Sequence, residues 1–254
     1  MLSFPFDPIA RADQVERMVL DGDRKRYYKF EYDAIYYNGI VSCRASGCCL
    51  SCAYCFNVTR NMNIDSCTDK FYSPNEVSEK VKALQEKHGV DQFRITSCEA
   101  LLGKASTKHL GEVIRLSKSK AWIETNGIVI GHDPSLLDYI PKKDVTIRVT
   151  VKADGPQSFQ HITGAKASAF KYQIEAIRVL IESKRPFVIA IMKQFVDIDK
   201  LARQFDEADI VFDSDPDLDI ESLLYYPQNI QVMKDRGVKP LYRKVKIMSD
   251  GSRI

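Results

Sequence analysis

Residues 47–57 read Gly-Cys-Cys-Leu-Ser-Cys-Ala-Tyr-Cys-Phe-Asn and hold four of the seven cysteines in this 254-residue chain. Cys48, Cys52 and Cys55 follow the spacing C-x3-C-x2-C, which lets three thiolates of one loop converge on one metal centre. Structural zinc modules pair two C-x2-C half-sites, and no second half-site follows downstream. Three sulfurs can hold three irons of a four-iron cluster and leave the fourth iron open to an outside ligand. Two alternatives stay open: buried cysteines that cluster by chance, and a non-enzymatic iron-sulfur or zinc protein.

The overall composition fits one globular domain, with 44% hydrophobic and 28% charged residues. No apolar run approaches the roughly 20 residues of a membrane span, and the N-terminus lacks the pattern of a signal peptide. We therefore expect a cytoplasmic protein without membrane association. The net charge of +3 is too small to indicate a nucleic-acid partner on its own. An odd number of cysteines, crowded into one loop, argues against a secreted disulfide framework.

Strand and helix patterns alternate along most of the chain. Apolar runs predict strands near residues 36–43, 92–96, 121–125, 145–151, 187–192 and 209–212. Apolar residues at helical spacing predict helices near residues 8–20, 73–89, 106–118, 134–139, 167–182 and 197–205. This alternation indicates a parallel sheet with right-handed crossovers.

Three charged segments allow two interpretations each. Residues 24–30 interleave basic and aromatic side chains, which suits either base stacking with phosphate contact or an edge strand with a solvated face. Residues 213–221 are acidic at alternate positions, but Leu218 and Leu224 replace the glycine and glutamate of a calcium-binding EF-hand, so we expect a solvated loop. The basic tail from residue 234 is either a solvated terminus or a partner contact.

The cysteine loop, with Tyr54 just before its last cysteine, resembles the cluster loop of the radical SAM (S-adenosylmethionine) superfamily. The resemblance implies that the three thiolates carry a [4Fe-4S] cluster whose open iron binds the amine and carboxylate of SAM. An electron donor such as flavodoxin or ferredoxin would then drive cleavage of SAM to methionine and a 5′-deoxyadenosyl radical, which abstracts hydrogen from a substrate.

The same resemblance implies an α/β fold, a single-domain partial (βα)6 TIM-like barrel of parallel strands. It would occupy residues 36–215, with an N-terminal extension at 1–35 and a C-terminal extension at 216–254 that packs on the barrel.

Polar residues that follow the predicted strands resemble the family's SAM contacts. Glu99, after the small residues Ser97 and Cys98, stands in the place of a Gly-Gly-Glu-Pro segment and matches it by identity at the glutamate alone. Glu124 and Asn126 lie in a segment similar to the family's Thr-Asn-Gly strand end, and each is expected to bond to SAM or substrate. A plain Asn-Gly turn is the alternative.

Residues 149–164 resemble the Asp-x-Lys and His-x-x-Gly-like segments of glycyl-radical-enzyme activases, the group of pyruvate formate-lyase activating enzyme. Lys152 would pair with the SAM carboxylate, whereas Thr150 stands where those activases carry Asp. His161 suits a catalytic or a surface role equally. We therefore expect an activase-like enzyme acting on a protein or peptide. The alternative is a radical SAM enzyme that modifies RNA or a small molecule, for which residues 24–30 and the basic tail are the support.

The expected site thus has a metal-binding and a cofactor-binding part. The metal ligands are Cys48, Cys52 and Cys55, and the cofactor contacts are Tyr54, Ser97, Glu99, Glu124, Asn126, Thr150 and Lys152. The other cysteines are expected to be buried or loop thiols, with Cys98 the nearest to the cofactor: Cys43, Cys49, Cys67 and Cys98.

Overall fold

A computed structural model describes residues 3–212 and 216–241. The helices are α1 (Pro8–Val19), α2 (Val58–Met62), α3 (Pro74–His88), α4 (Lys104–Ser117), α5 (Ile128–His132), α6 (Pro156–Thr163), α7 (Phe170–Glu182), α8 (Ile198–Glu207) and α9 (Pro227–Asp235). The strands are β1 (Leu20–Asp21), β2 (Arg24–Asp33), β3 (Ile40–Ala45), β4 (Lys70–Tyr72), β5 (Gln92–Thr96), β6 (Lys120–Thr125), β7 (Val145–Val151), β8 (Phe187–Met192) and β9 (Leu218–Glu221). No helix among the described residues is long and apolar enough to cross a membrane.

The strands form one sheet in the order β1-β2-β3-β5-β6-β7-β8-β9, with β4 also paired to β2. From β3 to β9 each neighbouring pair in this order is parallel, whereas β1, β2 and β4 are antiparallel additions. Six parallel strands with intervening helices confirm the predicted α/β partial-barrel fold. The predicted boundary at residue 35 follows β2, and the one at 215 precedes β9; the division into a barrel and two extensions stays a prediction.

The two faces of the sheet differ in chemistry because side chains alternate along each strand. On β5, Phe93 and Ile95 join the apolar core beneath the helices, while Arg94 and Thr96 point to the other side. That other side carries arginines and carboxylates bonded across neighbouring strands, and we call it the polar face. It is formed by Glu31, Asp33, Ser42, Arg44, Arg94, Thr96, Glu124, Arg148, Thr150, Asp219 and Glu221.

The sixth parallel strand lies later in the chain than the sequence predicts. Residues 209–212 are not a strand, because Asp209 takes a left-handed φ of 52° and Ile210 bonds back to the Phe205 carbonyl at the end of α8. The strand is β9, within the acidic segment expected to be a solvated loop. Its alternate carboxylates Asp219 and Glu221 lie on the polar face against Arg148. The other parallel strands were predicted from their apolar residues, whereas β9 is marked by charge pairing with a neighbouring strand. Residues 213–215 of the acidic segment lie outside the described part.

The basic-aromatic segment at residues 24–30 opens β2, and only part of it is a sheet edge. β2 pairs with β1 and β3 on one side and with the short strand β4 on the other, where β4 covers residues 25–27. Lys25 is buried and donates to the Ala100 carbonyl at 2.9 Å, and the Tyr27 hydroxyl is 3.0 Å from His109 Nε2. Lys25 and Tyr27 therefore belong to the interior of the fold, whereas Arg24 and Lys29 are exposed. Of the predicted basic tail, residues 242–254 lie outside the described part.

Candidate cluster and cofactor site

The cysteine loop leaves the end of β3 and is fixed by backbone bonds to distant segments. The Gly47 N–H donates to the Arg60 carbonyl at 3.1 Å, and the Gly47 carbonyl accepts from the Glu99 N–H at 2.8 Å. Gly47 has a φ of 97°, and an added Cβ would lie 2.8 Å from the side chains of Val15 and Val19 on α1. Glycine is therefore required by both conformation and space. Ser51 and Ala53 donate to carbonyls at the end of α6.

The three predicted ligand thiols are free, and two of them, Cys48 and Cys55, lie beside amide donors. Cys48 Sγ accepts from the Leu50 N–H at 3.4 Å and lies 3.7 Å from Asn126 Nδ2, while Cys55 Sγ accepts from Asn61 Nδ2 at 3.5 Å. N–H donors aimed at sulfur stabilise thiolate ligands of iron-sulfur clusters. The described residues hold no group of three Cys, His, Asp or Glu side chains drawn together around a single ion. In a four-iron cluster each thiolate binds a different iron, so three free thiols on one loop, two of them with amide donors, fit that group.

Burial and neighbouring charged or polar groups have opposite effects on the pKa of these thiols. A hydrogen bond from the Cys49 thiol lowers the pKa of Cys48 and outweighs its burial. Burial raises the pKa of Cys52 to about 12 and also raises the pKa of Cys55. The positive charge of Lys152 lowers the pKa of all three thiols and so acts against the effect of burial. Bound iron would add positive charge that favours the thiolate form of every ligand.

Glu99 is buried and turned toward backbone. Its Oε1 accepts from the Leu101 N–H at 3.0 Å and from Thr125 Oγ1 at 2.7 Å, and its Oε2 accepts from the Asn126 N–H at 2.8 Å. The carboxylate thus joins the end of β5 to the end of β6. Burial raises the pKa of Glu99 despite these donors.

Asn126 and Thr150 are held by a residue that the sequence patterns did not single out. Gln173, fully buried on α7, donates to the carbonyls of Asn126 at 2.5 Å and Thr150 at 3.0 Å, and accepts from the Lys152 N–H at 3.1 Å. The Asn126 side chain lies 3.3 Å from Cys49 Sγ. One glutamine therefore sets the spacing between the ends of β6 and β7.

Glu124 belongs to the polar face. Its carboxylate accepts from Arg94 at 2.8 Å, from Thr96 Oγ1 at 2.5 Å and from the Tyr37 hydroxyl at 3.1 Å. Burial would raise the pKa of Glu124, but Arg94 and then Arg148 lower it below its ordinary value. Glu124 is therefore held as a carboxylate.

Tyr54 is buried in the loop with its ring 4.7 Å from that of Phe195, at an interplanar angle of 20°. Its hydroxyl has no hydrogen-bond partner within the described residues. Its carbonyl accepts from Asn229 on α9 at 3.1 Å, and Arg236, just after α9, donates to the Ser51 carbonyl. The C-terminal helix thus braces the cysteine loop, a contact that no local sequence signal could reveal.

Comparison with known proteins identifies the family. The family model described as the Radical SAM superfamily matches residues 43–203. The chain belongs to the radical SAM superfamily. The family's cofactors are a [4Fe-4S] cluster and S-adenosylmethionine, which confirms both cofactor predictions. Among curated protein sequences none matches significantly.

Solved structures resemble this chain to different degrees. TYW1 with a lysine-pyruvate adduct bound aligns at 16% identity over 78% of this chain and 72% of that chain, with a TM-score of 0.52. Archaeal TYW1 aligns at 15% identity over 92% and 88%, with a TM-score of 0.48. The cobalamin-dependent enzyme OxsB, with aqua-cobalamin and S-adenosylmethionine bound, aligns at 11% identity over 82% and 32%, with a TM-score of 0.46. The first of these likenesses concerns the fold alone, and the activase branch is not singled out among the three.

The predicted site residues of this radical SAM chain fall into two groups. Around the cysteine loop lie Tyr54, Glu99, Asn126 and Lys152. On the polar face lie Glu124 and Thr150, whose hydroxyl accepts from Arg148 at 3.4 Å, and beside it lies Ser97, whose hydroxyl accepts from Arg44 at 3.2 Å. The roles assigned to these residues stay predictions.

The remaining cysteines and His161 occupy varied positions. Cys43 and Cys49 are buried, while Cys67 and Cys98 are half-buried. Cys98 lies within electrostatic reach of Cys48, and burial raises its pKa to about 12. His161 is exposed on α6, where its carbonyl accepts from Arg236, and this placement favours the surface role.

Proposed function

We propose that this chain holds a [4Fe-4S] cluster through Cys48, Cys52 and Cys55 and cleaves S-adenosylmethionine reductively at that site. The cluster and SAM together supply a 5′-deoxyadenosyl radical that abstracts a hydrogen atom from a substrate. The observation that carries the proposal is the cysteine loop itself, with three free thiols on one loop and amide donors aimed at Cys48 and Cys55.

The surrounding residues have distinct proposed roles. Lys152, whose charge reaches all three thiols, is placed to pair with the SAM carboxylate. Glu99 acts through Asn126 and Leu101, whose N–H groups it holds, and so shapes the cofactor site by position. Tyr54 offers a buried ring and an unpaired hydroxyl. The electron comes from a donor protein such as flavodoxin or ferredoxin, and the cytoplasmic location stays a prediction.

Replacement of Cys52 tests this function directly. In the anaerobically reconstituted and chemically reduced Cys52→Ala protein we expect loss of cluster absorbance and of 5′-deoxyadenosine formation from SAM, because one of three ligands is gone. Cys67→Ala is the matched control, since Cys67 lies outside the loop and is half-buried. Full cluster absorbance in Cys52→Ala would contradict the ligand set. Absence of 5′-deoxyadenosine from the wild-type protein would contradict SAM cleavage.

The substrate that we propose is a protein or peptide, as in an activase-like enzyme. The resemblance of residues 149–164 to the activases supports it. On the polar face the cation Arg148 has only 6% of its side chain exposed, whereas Asp219 and Glu221 have 48% and 37% exposed. Around Arg148 the accessible charge is therefore negative, which disfavours a phosphate backbone at that place. In the basic-aromatic segment, Lys25 and Tyr27 are bonded into the fold, whereas Arg24 and Lys29 are exposed.

Deuterium transfer to 5′-deoxyadenosine can separate the substrate classes. A deuterated anaerobic cell extract would be divided, treated with protease or with ribonuclease, freed of the added enzyme and then incubated with the reduced protein and SAM. We expect the protease-treated portion to lose deuterium transfer and the ribonuclease-treated portion to keep it. The reverse result would identify RNA as substrate, and transfer that survives both treatments would identify a small molecule.

A further inference from the structure

Asn61 is a buried side chain beside the cysteine loop that the proposed function leaves unexplained. It lies on α2, six residues after Cys55. Its Nδ2 donates to the Ser97 carbonyl at 2.9 Å and to Cys55 Sγ at 3.5 Å. Its Oδ1 is buried and has no hydrogen-bond partner within the described residues.

The orientation of this amide follows from its neighbours. A carbonyl oxygen and a sulfur both accept hydrogen bonds, so the nitrogen must face them and the oxygen must face away. An unpaired buried acceptor opposes folding. An apolar side chain would avoid that penalty, which indicates that the N–H groups of Asn61 have a use of their own.

We propose that Asn61 raises the reduction potential of the cluster through its hydrogen bond to the Cys55 sulfur. The inference rests on the proposed ligand set. Reduction adds one negative charge that the thiolate ligands share, and an N–H donor binds a more negative sulfur more strongly. The reduced state therefore gains more from the bond than the oxidised state. A higher potential lets an electron donor of moderate strength reduce the cluster.

Asn57 provides a matched control within the same segment. It is also buried, and its side-chain Nδ2 donates to the same Ser97 carbonyl at 2.8 Å. That side-chain amide is bonded to the oxygen and not to a sulfur atom. Replacing either asparagine with leucine removes one donor from Ser97, and only Asn61→Leu also removes the donor from Cys55.

The test is a potentiometric titration of the reconstituted cluster, followed by electron paramagnetic resonance without SAM. We expect the midpoint potential of Asn61→Leu to lie below those of wild type and Asn57→Leu by a tenfold change in the reduction equilibrium, about 59 mV for one electron. Equal potentials in Asn61→Leu and Asn57→Leu would overturn the inference. A wild-type protein that forms no [4Fe-4S] signal would instead contradict the proposed function.

A second variant keeps the inference testable if leucine prevents cluster binding. Asn61→Ser keeps a small polar side chain but withdraws the donor, and we expect the same lowering of the potential. Pulsed electron paramagnetic resonance on protein with ¹⁵N in the asparagine side chains should show a nitrogen coupling to the reduced cluster that weakens in Asn61→Ser. Equal coupling in wild type and Asn61→Ser would count against a bond to Cys55.

Discussion

Glu99 joins two strand ends through one buried carboxylate that accepts three hydrogen bonds. Those donors are backbone N–H groups of Leu101 and Asn126 and the hydroxyl of Thr125, so they hold the residues beside the cysteine loop in place. A carboxylate suits this position because both of its oxygens only accept. The single residue that matches the family's glutamate segment therefore acts on the site through its neighbours.

Glu99→Gln should lower the free energy of unfolding by about 2 kcal/mol, because the new NH2 group faces a donor and leaves it unpaired. Urea denaturation measures the change. Glu112→Gln is the control, since Glu112 is half exposed on α4 beside Arg115, and it should shift stability little. Equal effects of the two substitutions would show that the buried bonds of Glu99 contribute nothing.

His109 makes stability depend on pH. Burial lowers its pKa from 6.5 to about 4, although the Asp23 carbonyl, 2.8 Å from Nδ1, acts in the opposite direction. Its Nε2 lies 3.0 Å from the Tyr27 hydroxyl. With the folded pKa below the unfolded one, the unfolded state binds the proton first. Stability is complete above pH 6.5 and is lost as pH falls toward 4.

We therefore expect His109 to lower the free energy of unfolding by about 2 kcal/mol between pH 7.5 and pH 5. Urea denaturation of the cluster-free protein at the two pH values, compared with His109→Gln, gives the contribution of this residue. The variant should show a smaller drop than wild type. An identical drop in both proteins would assign the pH dependence to other groups.

At the scale of elements, residue patterns predicted the buried strands well. The predicted bounds of β5, β7 and β8 are confirmed residue for residue, because each is an apolar or β-branched run that carries its own signal. The helix α3 is also confirmed, with the Ser73 capping box at its start and Gly89 in a left-handed conformation at its end. Two predictions failed in part. The strand predicted at residues 36–43 lies at Ile40–Ala45, because Tyr37 and Asn38 take left-handed conformations. The strand β9 was missed because its carboxylates pair with Arg148 on another strand, and periodicity reports only local sequence.

In the site, too, some residues could be predicted from the local sequence and others could not. The cysteine loop and the residues at strand ends could be read from spacing and order along the chain. Gln173, Asn61, Asn229 and Arg236 could not, because each acts on atoms fixed by the fold rather than by its sequence neighbours. A glutamine within a helical pattern gives no sign that it will join two strands.

Gln173 joins the α7 helix to β6 and β7. Gln173→Leu should therefore lower the free energy of unfolding by about 2–3 kcal/mol, because the buried carbonyls and N–H group that Gln173 contacts lose their bonds. Gln204→Leu, on the exposed surface of α8, is the control. Urea denaturation should show the difference. A stability of Gln173→Leu equal to that of the control would mean that the strand ends find other partners.

At the scale of the whole molecule, segments late in the described chain pack against segments that come earlier in the sequence. β9 completes the sheet against β8, and its two carboxylates pair with the buried cation Arg148. Asn229 and Arg236 bond to carbonyls of the cysteine loop. The predicted C-terminal extension thus contributes to both the sheet and the support of the site.

A chain ending at residue 212 should bind much less iron than one ending at residue 241, because Arg148 loses the carboxylates of β9 and the loop loses three donors. Iron content after reconstitution and the thermal midpoint of both chains measure this. The chain ending at 241 should behave like the full protein. Equal iron content in the two shortened chains would show that the last helix is dispensable.

The bond between Asn229 and the Tyr54 carbonyl spans 175 residues. During translation the three cysteines leave the ribosome long before the helix that braces them has been made. For most of its synthesis the nascent chain carries the thiols on a loop without its final supports. Iron delivery to a finished site must therefore follow synthesis of α9, and machinery that loads the cluster would meet a chain that already extends past residue 236.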